Sequence, residues 1–248
     1  MKWHLYFVLL CALISSKSFA QETSPVPAPT PTPPFAAEAE AGAVVVSGVS
    51  DSESYSAQAK GTYTQDKNIY GLFGHYIQVE ANGVESARNW DAGVRYDREL
   101  NEYLGVYLGQ KSESDIYSGY VQRDSTDVGA KYFLIKGQSF NWTLEAGYRY
   151  AKTLPLLRGS LYESFGRLYT EVDEDLSKTL SFKYWAEYLP NFTHNEAYQC
   201  NTEASLNVML TQIFSLKLAY LLQYQNVPPS GGVKYATTTS TMNLVAKY

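Results

Sequence analysis

Phe214-Ser-Leu-Lys-Leu-Ala-Tyr-Leu-Leu-Gln-Tyr-Gln225 decides the fold. Its even positions, Phe214, Leu216, Leu218, Tyr220, Leu222 and Tyr224, are apolar, whereas Lys217, Gln223 and Gln225 fall on odd positions. Side chains alternate between the two faces of an extended strand, so a period of two predicts a strand with one apolar face. Three further stretches repeat the pattern. In 141–151, Trp142, Leu144, Ala146, Tyr148 and Tyr150 oppose Thr143, Glu145 and Arg149. In 179–189, Leu180, Phe182, Tyr184, Ala186 and Tyr188 oppose Ser181, Lys183 and Glu187. At the end of the chain, Met242, Leu244, Ala246 and Tyr248 oppose Asn243, Val245 and Lys247. Across these four stretches the apolar face holds twenty positions and no charge, and the opposite face holds six charges.

That partition separates two architectures. Strands of a soluble β-sandwich also have one apolar face, but they usually run only about 5–6 residues. A membrane-crossing strand needs about 9–11 tilted residues, apolar outward, with aromatic side chains at the two interfaces. The strands here have that length, and Tyr and Trp lie toward their ends. The sequence therefore predicts an all-β protein, an antiparallel up-and-down transmembrane β-barrel.

Twelve segments carry the texture: 43–50, 54–65, 69–81, 87–100, 103–114, 121–135, 140–152, 160–172, 178–190, 197–210, 213–225 and 237–248. About 12 strands are expected, and 10–14 are compatible with the punctuation. Short connections (66–68, 101–102, 136–139, the acidic 173–177 and 211–212) alternate with longer ones near 47–53, 82–86, 115–120, 153–159, 191–196 and 226–236. An even count brings both chain ends to one side, the periplasm, and the longer loops to the other. Met242, Leu244, Ala246 and Tyr248, ending on an aromatic residue, read as the assembly signal recognised by the barrel-assembly machinery.

The stretch before the barrel is an address followed by a spacer. Lys2, the apolar run Leu5–Ile14 and the small residues of Ser18-Phe19-Ala20 make residues 1–20 a cleavable signal peptide. Six of the ten prolines fall between Pro25 and Pro34, so residues 21–42 read as an extended Pro/Ala-rich periplasmic linker, and 43–248 as the barrel. The linker is a candidate contact for the cell wall or a periplasmic partner. Cleavage removes Lys2 and Lys17 from 20 basic residues, leaving 18 against 25 acidic ones, net −7. It also removes Cys11, and Cys200 alone cannot form an internal disulfide. The negative charge argues against nucleic acid as a partner. Twenty-two Tyr against ten Phe and three Met suit a molecule whose apolar surface meets water along a long boundary. Outer-membrane lipid is the expected surrounding, in a Gram-negative envelope.

The chemistry-bearing residues do not assemble into an enzyme, and no cofactor is expected. After signal removal only His75 and His194 remain, and no G-x-S-x-G occurs. His75 shares strand parity with Phe73 and Ile77. The dense acids Glu171, Asp173, Glu174 and Asp175 read as a solvated periplasmic turn rather than a metal site. Parity instead places Lys60, Asp91, Arg95, Lys111, Glu113, Lys131, Glu145, Arg149, Lys183, Glu187, Glu203 and Lys217 in the lumen, because a charge on the lipid face costs a few kcal/mol at the midplane. Seven are basic and five acidic. They could form a narrow water-filled pore or a self-neutralised network that fills the barrel, since about 12 strands lies between filled small barrels and open porins.

Several stretches resemble one family. Tyr224-Gln-Asn-Val-Pro-Pro-Ser-Gly-Gly-Val-Lys-Tyr-Ala-Thr-Thr-Thr-Ser-Thr-Met-Asn-Leu-Val-Ala-Lys-Tyr248 resembles the end of the DUF481 family, with its Pro-Pro-Gly-Lys loop, Thr-rich rise and final apolar strand. Trp90 through Tyr96-Asp97-Arg98, Val128-Gly129-Ala130-Lys131-Tyr132-Phe133 and Leu144-Glu145-Ala146-Gly147-Tyr148-Arg149 fit as well. Where the family commonly has Asp after the loop lysine, this chain has Tyr235-Ala236, and it ends on Tyr rather than Phe. The resemblance implies an outer-membrane barrel, some members being labelled salt-stress-induced, and transfers no catalytic residue. The functional expectation is a structural or stress-linked envelope barrel with a largely filled polar lumen; the alternative is a narrow channel for ions or small solutes.

Overall fold

The computed structural model describes residues 34–46, 52–228 and 235–247. The signal peptide 1–20, residues 21–33 of the expected linker, and Tyr248 of the assembly signal lie outside the described residues.

Twelve strands follow one another: β1 Phe35–Val46, β2 Ser52–Gln65, β3 Asn68–Ala81, β4 Val84–Glu99, β5 Leu104–Asp115, β6 Tyr120–Lys136, β7 Phe140–Pro155, β8 Leu161–Asp175, β9 Leu180–Leu189, β10 Gln199–Met209, β11 Phe214–Gln225 and β12 Ala236–Lys247. Each pairs antiparallel with its sequence neighbours, and β1 pairs with β12, so the sheet closes on itself. Closure leaves the barrel no free sheet edge at its ends, the condition for a strand protein to sit in lipid.

Eleven of the twelve strands fall on the segments read from the alternation. β1 does not. It starts at Phe35, inside the stretch expected to be linker, and ends at Val46 rather than at 50. Ala37, Ala39, Ala41 and Ala43 alternate with Glu38, Glu40 and Gly42, a period of two. Alanine supplies the lipid face there, and its small apolar contrast beside the proline run hides the strand.

Two connections also differ from expectation. The segment 82–86 is no long loop: Asn82-Gly83 turns the chain between β3 and β4 with both residues at positive φ, 52° and 74°. That is the two-residue hairpin geometry that Asn-Gly favours. The acidic 173–177 is no simple turn either, because β8 runs through Asp175.

The outer face is apolar. Leu72, Val94, Leu108, Val128, Leu168, Leu218 and Leu244 point away from the lumen and are exposed to the surroundings. Tyrosines border this belt at both ends. Tyr63, Tyr70 and Tyr96 form a run with ring centroids 6.3 and 5.3 Å apart at the short-turn end. Tyr188, Tyr198 and Tyr224 form another, at 6.0 and 5.9 Å, at the loop end. Two such girdles flanking an apolar band match an amphipathic side chain to each membrane interface.

The seam between β1 and β12 differs from the other joins. Among the described residues its register runs from Glu38 opposite Lys247 to Ala41 opposite Leu244, four pairs, whereas β1 and β2 share twelve.

Candidate functional site: a lumen partitioned by ion pairs

Arg95 on β4 meets Glu145 on β7, three strands away around the wall with β5 and β6 between them. Side chains on strands separated in this way can meet only through the interior, so this parity is the lumenal one. The register carries the assignment around the barrel: Glu145 opposes Lys131 and Tyr169, Asp91 opposes His75 and Glu113, and Glu203 opposes Leu221. Away from the β-bulges near the ends of β3, β5 and β6, odd positions face inward on β3 to β12, and even positions on β1 and β2. Lys60, Asp91, Arg95, Lys111, Glu113, Lys131, Glu145, Arg149, Lys183, Glu187, Glu203 and Lys217 all occupy inward register positions.

Five of them, Arg95, Lys131, Glu145, Arg149 and Glu187, join one network along β4 to β9 with Asp97, Asp127 and Arg167. Arg95 donates from Nη2 to Glu145 Oε1 at 2.6 Å and from Nε to Asp97 Oδ2 at 2.7 Å. Arg167 on β8 donates to Glu145 Oε2 at 2.6 Å and to Glu187 Oε1 at 2.7 Å. Arg149 bridges Glu187, at 3.1 Å, and Asp127, at 2.6 Å. Lys131 lies 3.0 Å from Asp97 and 3.6 Å from Glu145. Each buried guanidinium thus faces two carboxylates, the arrangement that offsets removing such charges from water. The Glu145 side chain keeps only 2% of its exposure. Toward the loop end Glu113 is held by Lys111 at 2.5 Å and Arg123 at 3.4 Å. Toward the short-turn end Lys183 lies 3.0 Å from Glu171 and 3.4 Å from Asp173. These two acids therefore belong to the wall and not to a solvated turn.

Glycines make room for this network. Tyr107 lies flat against β6 and β7, its Oη receiving a hydrogen bond from Arg167 Nη1 at 3.0 Å, with Arg95 stacked 4.3 Å from its ring centre. A Cβ added at Gly129 would sit 2.6 Å from that oxygen, closer than any side chain tolerates. The ring occupies the space of the missing side chain, and Phe73 does the same over Gly93.

A second, smaller knot closes the other side. Lys217 on β11 reaches over β12 to Glu40 on β1 at 2.9 Å and stands 4.0 Å from Glu203. Asn243 Nδ2 donates to Glu40 at 3.1 Å, and Ser56 Oγ donates to Asn243 Oδ1 at 2.8 Å. Lys60 makes no ion pair among the described residues and borders a cavity toward the short-turn end. His75 Nδ1 stands 3.3 Å from Asp91. Cys200 is a half-buried free thiol on the outward parity of β10.

Sequence parity alone could have supplied Asp97, Arg123 and Asp127, which share it with Arg95 and Lys131. Arg167 carried no such signal. On β8 the inward face holds Phe165 and Tyr169 and the outward face Ser164, Gly166 and Thr170, so the polarity contrast disappears. Glu40 was hidden by the linker assignment.

The family model described as "Protein of unknown function, DUF481" matches residues 39–248. The "Uncharacterized protein YdiY" of Escherichia coli (strain K12) is 25% identical over 207 residues, covering 80% of this chain and 77% of that protein. Among solved structures, a NanC porin superposes with a TM-score of 0.53 at 11% identity, covering 85% of this chain and 98% of the porin. That likeness is one of fold.

Proposed function

The chain belongs to the DUF481 family of proteins of unknown function, and from that premise we propose that it is a non-enzymatic structural barrel of the Gram-negative outer membrane whose lumen is occluded by its own ion pairs. The observation that carries this reading is the Arg95–Glu145–Arg167–Glu187–Arg149–Asp127 chain, in which the described charges neutralise one another and leave little for a passing solute. Residues 1–20 act as the cleaved address, and the Pro-rich stretch ahead of β1 remains in the periplasm as a tether for a cell-wall or periplasmic partner. Lipid surrounds the belt, and the barrel-assembly machinery handles the Met242–Tyr248 signal. The stress-linked part of the role rests on the family resemblance.

A second reading, a narrow channel for ions or small solutes, draws support from polar cavities within the lumen. Conductance of the refolded mature protein in a planar bilayer separates the two, once a heat-dependent gel shift shows a folded barrel. Electrical silence is the expected result. Steady wild-type conductance would overturn the occluded reading in favour of the channel.

A further inference from the structure

The two seals of the lumen are unequal. On β4 to β9, three arginines interlock with four carboxylates, and no single side chain holds the network alone. On the remaining sector the wall is lined by small neutral groups, Ser54, Ser56 and Gln58 on β2 and Thr237, Thr239 and Thr241 on β12, all at inward register. A cavity lies in this sector on the loop side of Lys217, bordered by Gln58, His75, Thr239 and Thr241. Another lies on the short-turn side, bordered by Lys60, Ser205, Asn207 and Lys247. Lys217 borders both. The knot between them is Lys217 with Glu40, supported by Asn243 and Ser56.

Resting on the occluded-lumen reading, we propose that this sector is a pathway for small hydrated cations, closed by the Lys217 ammonium. Three observations carry it. The two cavities abut the same side chain from opposite sides, so the lysine is the partition between them. The loop-side cavity is acidic: Glu40, Asp91, Glu113, Asp115 and Glu203 line it, against Lys217 and His75. A ring of carboxylates raises the local concentration of cations, and a fixed ammonium at the narrowest point opposes their passage. Finally, the Ser205 hydroxyl is 3% exposed and has no hydrogen-bond partner among the described residues, although it borders the short-turn cavity. A buried hydroxyl left unpaired is costly, so its position facing this cavity points to water or a solute as its partner.

Gly42 explains how the partition fits. A Cβ there would meet the Ser56 hydroxyl at 2.8 Å and collide with the Asn243 amide, so only glycine lets the knot lie against β1. Lys217 is thus both the counter-charge of Glu40 and the obstruction.

The test is bilayer conductance of Lys217→Ala beside the wild type, each shown folded by the heat-dependent gel shift. The double variant Lys217→Ala with Glu40→Gln serves where an unpaired Glu40 prevents folding. With a silent wild type, either variant should give stepwise current, its reversal potential in a salt gradient shifted toward the cation equilibrium value. A folded variant that stays silent overturns the pathway and leaves the occluded reading standing. Should the wild type conduct, the occluded reading falls. The pathway is then decided by Thr239→Cys in a Cys200→Ser background: loss of current on modification by a charged thiol reagent supports it, and unchanged current overturns it.

Discussion

Glu145 touches more cations than any other carboxylate on the packed side of the lumen. Its carboxylate accepts from Arg95 and Arg167 and lies beside Lys131. Glu145→Gln keeps the shape and removes the charge, leaving three cations sharing one fewer anion in a place water scarcely reaches. Breaking a buried pair by removing one partner costs about 3–5 kcal/mol, and urea unfolding of the micelle-bound barrel should register a loss of that order. Glu99→Gln is the contrast. Its pair with Lys136, at 2.9 Å, lies at the short-turn rim with half of the lysine exposed, and a change within about 1 kcal/mol is expected. A comparable loss in both variants would show that the lumen is wet throughout. That Glu145 faces inward was legible from its opposition to Leu144 and Ala146; that it serves Arg95 was not, because partners three strands apart leave no mark on local sequence.

At the scale of the element, what made strands readable was the medium on each side. Where β7, β9, β11 and β12 put Leu, Phe and Tyr outward and charge inward, alternation located the strand to within about three residues. β1 escaped because it meets lipid with alanine; on β8 the strand was found but its inward Arg167 was not, because Phe165 and Tyr169 share that face. The position of β1 has a direct consequence. A chain beginning at Ala43, the start suggested by alternation, lacks Glu38 to Ala41, which supply all four described pairs with β12, and lacks Glu40, the partner of Lys217. It should lose the heat-dependent gel shift, whereas a chain beginning at Pro34 should keep it. Retention by both would mean that β12 can close on another edge.

Seen as a whole, the molecule is a solid turned inside out, with charge at its centre and hydrocarbon outside. The belt can therefore be tested as one object. Val128, 51% exposed on the outer face of β6, should tolerate Arg badly, with a loss of about 2–4 kcal/mol in lipid. Leu157, 80% exposed in the β7–β8 connection, should accept Arg within about 0.5 kcal/mol. Equal costs would displace the proposed membrane boundary. The four-pair seam bears on how such a cylinder comes into being. Every other join links strands adjacent in sequence, so each can zip soon after its hairpin turns. The β1–β12 join unites the two ends of the barrel, carries the largest loop-closure entropy and, among the described residues, offers the fewest paired positions in return. Closure is therefore the slow, final event of folding, and the chain spends its assembly time as a curled ribbon with two unfinished borders. Those borders can be shielded until the seam forms, which makes the speed of this one short join the natural limit on how fast the protein matures.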